Sequence, residues 1–434
     1  MIELWIISLI ILIIFFYVII FVIFEKNRAL ISLIGALFVI LIVFIWGTSI
    51  PPSMHIDFAE FIASNINIIT LIIGLMLFIE IFLESGVFDY IALKMIKITK
   101  GSPTKLFLFF ILFTYGMSTI IENVGAILII MPLTITTCNI FIIAEQISTV
   151  CSGIILPISS IPNIIISNEL NFTFLDFVFL SAPLSFIILS FIIIFIKKVY
   201  LDKEERLKNP PEKLRRYIEQ FDASSVIKNK NFFKVSIIIL FTFIICVVIF
   251  QEYAHIVVMI CVVFLLIFSE LEVETVLKKI DWNTIFYLIG LFIIINTMTV
   301  LGILDYIGGF ILNLAGGNIV VAAFVTLWIS GSTSGVVDNI PITLTLTSPL
   351  NNILSGASIM QKKFVTTSLV FGASLGGCFT PIGSPSGILT LQLAKEKGIK
   401  ELNFKFYFKI GFIISLFNFI IASGYLLLLS FFLF

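Results

Sequence analysis

The chain has 434 residues, of which 60% are hydrophobic and only 12% charged, and its 26 basic and 26 acidic side chains cancel to a net charge of zero. A soluble domain carries roughly a quarter charged residues to keep its surface wet. This composition, with a mean hydropathy of +1.19, therefore excludes an ordinary soluble domain and turns most of the surface toward lipid. The zero balance argues neither for nor against nucleic acid, so the placement of the charges has to carry the argument.

The first 24 residues are apolar but lack a basic leader and a small-residue cleavage site, which predicts a first membrane helix rather than a signal peptide. Crossing a hydrocarbon core of ~30 Å takes about 20 apolar residues. Segments that qualify are 4–24, 29–48, 66–86, 147–170, 176–197, 232–251, 254–269, 282–301, 364–388 and 406–430. Two further stretches, 105–135 and 319–350, have polar centres, Gly116–Asn123 and Ser330–Asn339, flanked by apolar arms of about 10–14 residues. Such arms are too short to cross and predict re-entrant hairpins. The five cysteines, Cys138, Cys151, Cys246, Cys261 and Cys378, lie in or beside apolar runs without metal-ligand spacing and read as buried free thiols.

Charge placement sets an expected topology. With the N-terminus outside and both hairpins returning to the side they entered, 24 of the 26 Lys and Arg fall in or beside inside loops, and only Lys362 and Lys363 fall outside. The opposite orientation inverts that count, so the positive-inside rule selects the first. The polar stretch 199–231, with Pro210-Pro211, reads as a cytoplasmic linker, in part an interfacial amphipathic helix.

The two halves align at a 216-residue offset. Ile73-Gly74-Leu75 meets Ile289-Gly290-Leu291, Gly86 with Asp89-Tyr90-Ile91 meets Gly302 with Asp305-Tyr306-Ile307, Ser118 meets Ser334, and Glu122-Asn123 meets Asp338-Asn339. Past the hairpins the offset is 224, and Pro157-Ile158-Ser159-Ser160 meets Pro381-Ile382-Gly383-Ser384. Five spans plus a returning hairpin per half force the second copy to enter from the opposite side, so the repeat reads as inverted. The expected fold class is an all-α polytopic membrane protein. Residues 1–198 form the first repeat (hairpin about 103–140, interrupted helix 147–170), 199–231 the linker, and 232–434 the second repeat (hairpin about 318–355, interrupted helix 364–388).

Broken backbone survives in hydrocarbon only where it lines a cavity or is buried in protein. Each half has two such breaks, the hairpin tip and the Pro/Ser/Gly interruption that follows it. Freed carbonyls with Ser, Thr and Asn oxygens suit a hard cation, and half-helix N-termini suit an anion. Acidic residues inside membrane segments are costly and point to function; Glu122 and Asp338, at equivalent positions, are the leading candidates. Glu80 is a third, aligned with the neutral Asn296, and Glu84 reads as interfacial. No Lys or Arg lies deep in any span, so an anion would be held by helix dipoles, hydroxyls and co-bound cations.

A Ser-x-x-x-acid-Asn signature in two hairpins, each followed by a Gly/Ser/Pro-interrupted helix, resembles the ion transporter superfamily. That group spans arsenite permeases, sodium/proton antiporters of the NhaD type, the melanosomal P protein, and citrate and dicarboxylate carriers. Ser334-Gly335-Val336-Val337-Asp338-Asn339-Ile340-Pro341 is most similar to the arsenite permease and P protein branch. By resemblance, the site positions are Ser118, Glu122, Asn123, Ser160 and Asn163 in the first half, and Ser334, Asp338, Asn339, Thr380, Gly383 and Ser384 in the second. Dicarboxylate carriers have Ser-Asn-Thr at these tips where this chain has Glu122-Asn123-Val124 and Asp338-Asn339-Ile340. The first interruption reads Ser159-Ser160-Ile161-Pro162-Asn163 in place of Gly-Thr-Pro-Pro-Asn.

The expected function is therefore secondary active transport of a small anion, arsenite-like or citrate- and dicarboxylate-like, coupled to a cation or proton gradient. A sodium/proton antiporter using Glu122 and Asp338 is the same-fold alternative. A passive channel fits paired broken helices less well, and an intramembrane aspartyl hydrolase lacks its Gly-x-Gly-Asp element, so no enzyme is expected. No cofactor is expected beyond Na+ or H+ as coupling ion, and no metal beyond transported Na+. The partners are the small ion and the bilayer of the cell membrane, with no nucleic acid. The resemblance carries a homodimer as an expectation.

Overall fold

In the computed structural model, residues 2–24, 27–46, 54, 56–99, 102–134, 139–200, 223–354 and 356–434 are described. The central part of the linker and Cys138 lie outside them. All regular structure among the described residues is helical. Eight helices there are long and apolar enough to cross a bilayer, and they coincide with the ten expected spans less the two that are interrupted. Lipid-facing side chains make up much of the surface: Phe44, Phe431 and Phe432 are each more than four-fifths exposed, an arrangement water would penalise and acyl chains would not.

The first half opens with α1 (Ile2–Phe24) and α2 (Arg28–Trp46), a short α3 (Phe58–Ser64) capped by Asp57, and α4 (Ile66–Glu84). A turn at Gly86 leads into α5 (Val87–Thr99). The first hairpin follows as α6 (Pro103–Ile120) and α7 (Asn123–Thr134). Next come α8 (Asn139–Ser152), a break that contains one 3-10 turn (Pro157–Ser159), α9 (Ile161–Glu169), and α10 (Phe174–Val199) with an internal π-turn.

The second half runs α11 (Lys230–Ile249), α12 (Ala254–Ser269), a short α13 (Val273–Leu277), α14 (Trp282–Val300) and α15 (Ile303–Ala315). Its hairpin is α16 (Ile319–Ser334) and α17 (Asn339–Ile353), and its interrupted helix is α18 (Ile359–Gly376) and α19 (Pro385–Glu396). The chain closes with α20 (Phe404–Leu433).

Two expectations are corrected here. The hairpin arms are 18 and 12 residues in the first half and 16 and 15 in the second, so all but α7 exceed the expected arm. The first interrupted helix starts at Asn139 rather than at 147, which draws Glu145 and Gln146 into its buried body.

Two pairs of glycines matched in sequence play matched parts in space. Gly86 and Gly302 both turn the chain with left-handed φ of 72° and 71°, a conformation that costs other residues about 1–2 kcal/mol. Gly74 and Gly290 are both points of close helix approach. A Cβ on Gly74 would lie 2.4 Å from Val258 Cγ1 of α12, and one on Gly290 would lie 2.7 Å from the Ser32 carbonyl of α2. α4 thus packs on α12 and α14 on α2, so each of these helices reaches across to the other half. The hairpins cross as well: α7 packs on α19, and α17 packs on α9.

Candidate functional site

In the first half the tip is pinned to the break behind it. Ser118 Oγ donates to Asn123 Oδ1 at 2.8 Å and lies 3.2 Å from the Thr149 carbonyl of α8. Gly153, where α8 stops, lies against the Asn123 amide; a Cβ there would come 3.3 Å from both of its terminal atoms. The freed Gly153 carbonyl accepts from Ser159 Oγ at 2.7 Å, from Ser160 Oγ at 3.4 Å, and from Asn163 Nδ2. Asn163 Nδ2 also donates to the Leu156 carbonyl at 2.9 Å. This break satisfies its carbonyls from its own side chains, as buried backbone requires. Asn163 Oδ1 is left buried with no donor among the described residues.

The second half repeats the scheme with different partners. Ser334 Oγ donates to the Ala373 carbonyl at 2.7 Å, and Ala373 stands 224 positions after Thr149. Thr380 Oγ1 donates to the Gly335 carbonyl at 2.8 Å and accepts from the backbone of Ile382 and Gly383, which folds the break into a tight turn. Gly383 carries no side chain because a Cβ would come 2.7 Å from the Ser334 carbonyl. Ser384 caps α19 by accepting from Gly387 N at 3.3 Å and also receives Gln146 Nε2 of α8 at 3.2 Å. Asn339 Oδ1 at the start of α17 is buried without a donor among the described residues.

The two tip carboxylates hold equivalent posts at helix N-termini. Glu122 Oε2 accepts from Val124 N at 3.0 Å ahead of α7, and Asp338 Oδ1 accepts from Ile340 N at 3.3 Å ahead of α17. Capping oxygen and helix dipole both favour negative charge there. Their surroundings differ. Glu122 is half-buried and belongs to none of the ion pairs found among the described residues, whereas Asp338 is buried and takes Arg28 Nη1 on Oδ2 at 2.9 Å.

That pair corrects the expectation that no basic group reaches the interior. Arg28 opens α2, and its neighbour Ala29 N donates to Asn283 Oδ1 of α14 at 2.9 Å, which anchors the guanidinium beside the second tip. Placed at a loop boundary by hydropathy, Arg28 was counted with the inside loops; a long side chain carries its charge well away from its own backbone. A cavity of about 10 Å³ lies between Arg28, Asp338, Tyr287, Val337 and Ile382, roughly the room of one water. The buried Tyr287 hydroxyl beside it has no hydrogen-bond partner among the described residues.

Glu80 is not brought to the tips. Together with Glu84 it meets Lys279, at 3.5 and 2.9 Å, in a partly exposed cluster. A larger cavity of about 530 Å³ opens onto the first break, lined by Pro157 and Ile158, by Asn67, Ser167, Asn168 and Asn171, and by Gln251 and His255. The cysteines among the described residues are free thiols.

Comparison with known proteins fits this architecture. The family described as "Citrate transporter" matches residues 16–364. An uncharacterized transporter of Mycobacterium tuberculosis (strain ATCC 25618 / H37Rv) is 25% identical, covering 92% of this chain and 93% of that protein. The 46 kDa membrane protein of Mycobacterium leprae is 22% identical over the same shares. The human P protein is 23% identical across 94% of this chain and 58% of its own length.

Proposed function

The chain belongs to the citrate transporter family and is a multi-pass membrane transporter; on that premise we propose a secondary active carrier of a small anion, citrate-like or arsenite-like, driven by a cation or proton gradient. Glu122 and Asp338 are its coupling groups, and the remaining ligands are Ser118, Asn123, Ser160, Asn163, Ser334, Asn339, Thr380, Gly383 and Ser384. The observation that carries the reading is the crossed contact of α7 on α19 and α17 on α9. Each acid-capped hairpin arm rests on the interrupted helix of the opposite half, so binding at one tip acts on both halves. Alternating access by two opposed repeats requires such a linkage.

The donor-free oxygens of Asn163 and Asn339 support a hard coupling cation, which takes oxygen ligands. The N-termini of α7, α9, α17 and α19 supply positive dipole ends for the anion. Arg28 adds a cation at the second tip that the anion can engage when Asp338 releases it. The order in which segments alternate between the two faces, common to either orientation, gains support from two ion pairs. Lys279 with Glu84, and Lys363 with Asp176 at 2.6 Å, each join residues assigned to one face.

The test is uptake of labelled citrate and of arsenite into proteoliposomes, with and without sodium and pH gradients. Gradient-driven uptake is expected in the parent and lost in Glu122→Gln and in Asp338→Asn. Sodium-driven proton movement that needs no anion would replace this reading with the antiporter. Parent rates in both variants would remove the two acids from the mechanism.

A further inference from the structure

Glu145 is a carboxyl group that none of the preceding steps employs. It lies in the second turn of α8, is 1% exposed, and accepts from Thr134 Oγ1 of α7 at 2.8 Å on Oε2. Oε1 is buried with no hydrogen-bond partner among the described residues. Glu145 takes part in none of the ion pairs among the described residues, and no Lys or Arg occurs between Lys105 and Lys197. An acid so placed is expensive unless it has a task.

Among the described residues, the elements packed on α8 supply no countercharge. The hairpin arm α7 carries no titratable group; α6 brings Tyr115, bonded to Ser185, and α20 brings Tyr407, bonded to Gln146. The turn after α18 brings the Cys378 thiol, which rests on the Ile147 carbonyl, and α8 itself carries Cys151. Charged residues on α6, α10, α18, α19 and α20 stand at their ends: Lys105; Asp176, Lys197 and Lys198; Lys362 and Lys363; Lys395 and Glu396; Lys405 and Lys409.

We propose that Glu145 is a proton-carrying residue of the transport cycle, sealed between α7 and α8 and loaded or emptied as the two halves rearrange. A metal cation is a poor occupant, because a hard ion takes about six oxygens and no metal-binding group of His, Cys, Asp and Glu occurs among the described residues. A proton needs one oxygen. The geometry offers both states a partner, since Thr134 Oγ1 also lies 3.3 Å from the Ile130 carbonyl and 3.4 Å from that of Met131. With the carboxylate ionised, Thr134 donates to Oε2. When one proton binds Oε2, the acid donates to Thr134, whose own proton turns back to the α7 carbonyls.

The next residue gives this change a reach. Gln146 Nε2 donates to Ser384 and, at 3.4 Å, to Ser386, while its Oε1 accepts from Tyr407. One turn of α8 therefore holds the first hairpin through Glu145 and the second break through Gln146. A proton on Glu145 alters the α7 contact, and α8 passes that change to α19.

The deciding measurement is infrared spectroscopy of the full chain in lipid, titrated from acid to alkaline buffer. We expect a protonated-carboxyl band that is absent in Glu145→Gln and that disappears as the buffer is made alkaline. In Thr134→Val, which deletes the hydroxyl at Oε2, proton affinity should shift by roughly tenfold or more. A Glu145 band that never titrates, or one unmoved in Thr134→Val, overturns the proposal. A second arm rests on the carrier reading: in Glu145→Gln, citrate exchange should stay within about twofold of the parent while proton-driven accumulation falls at least tenfold. Parent-like accumulation with an unchanged pH profile also overturns it. The infrared arm needs no substrate, so it decides about Glu145 even if the parent carries no citrate.

Discussion

Removing Arg28 is the sharpest structural test of the second tip. At 2.9 Å the charges attract by about 6 kcal/mol at an effective dielectric constant near 20, but both were stripped of water to meet, and that desolvation offsets most of the gain. The cost of Arg28→Ala comes instead from what is left behind. Asp338, 4% exposed, would be left buried without its countercharge, a loss of about 3 kcal/mol. The assay is a double-mutant cycle read by thermal unfolding of the purified protein in detergent. Arg28→Ala should lower the midpoint by several degrees, and adding Asp338→Asn should recover most of it, because the neutral amide keeps the shape and needs no countercharge. Strictly additive effects, or an Arg28→Ala variant as stable as the parent, would refute the claim that the two side chains form a buried pair.

Other expectations separate interior from surface in the same assay. Lys279→Ala breaks a cluster whose members are 40% and 37% exposed at the closer contact, so it should change stability by no more than about 1 kcal/mol. Gly290→Ala drives a Cβ to 2.7 Å from the Ser32 backbone, which cannot rotate aside, and should cost about 1–3 kcal/mol. Gly309→Ala, with open space around its Cβ, should instead stabilise α15 by about 0.5 kcal/mol. Gln146→Leu leaves Ser384 and Tyr407 without their shared partner and should cost about 1–3 kcal/mol.

The glycines show how a matched sequence position acquires its physical reason. Gly74 and Gly290 align at one offset, and only the packing of α4 on α12 and α14 on α2 says that each is there to admit a neighbouring helix. The tips were legible because Ser118 with Glu122-Asn123, and Ser334 with Asp338-Asn339, put polar residues where apolar ones are required. Glu145 is not legible, because the apolar run counted as a span begins only at residue 147 and leaves the acid in the loop between it and the hairpin. A window that allowed one acid in an otherwise apolar helix from Asn139 would have found it.

What the chain determined by itself is local: which segments prefer lipid, where proline and glycine break a helix, and which charges cannot lie in hydrocarbon. Each follows from transfer energies and backbone hydrogen bonding within about 20 residues, and so each is written in consecutive letters. The tertiary structure alone decided the partners: Arg28 with Asp338 across 310 positions, Gln146 with Ser384 across 238, and Glu145 sealed against Thr134. Such pairings depend on how helices pack and how far side chains reach, and neither leaves a periodic trace in the sequence.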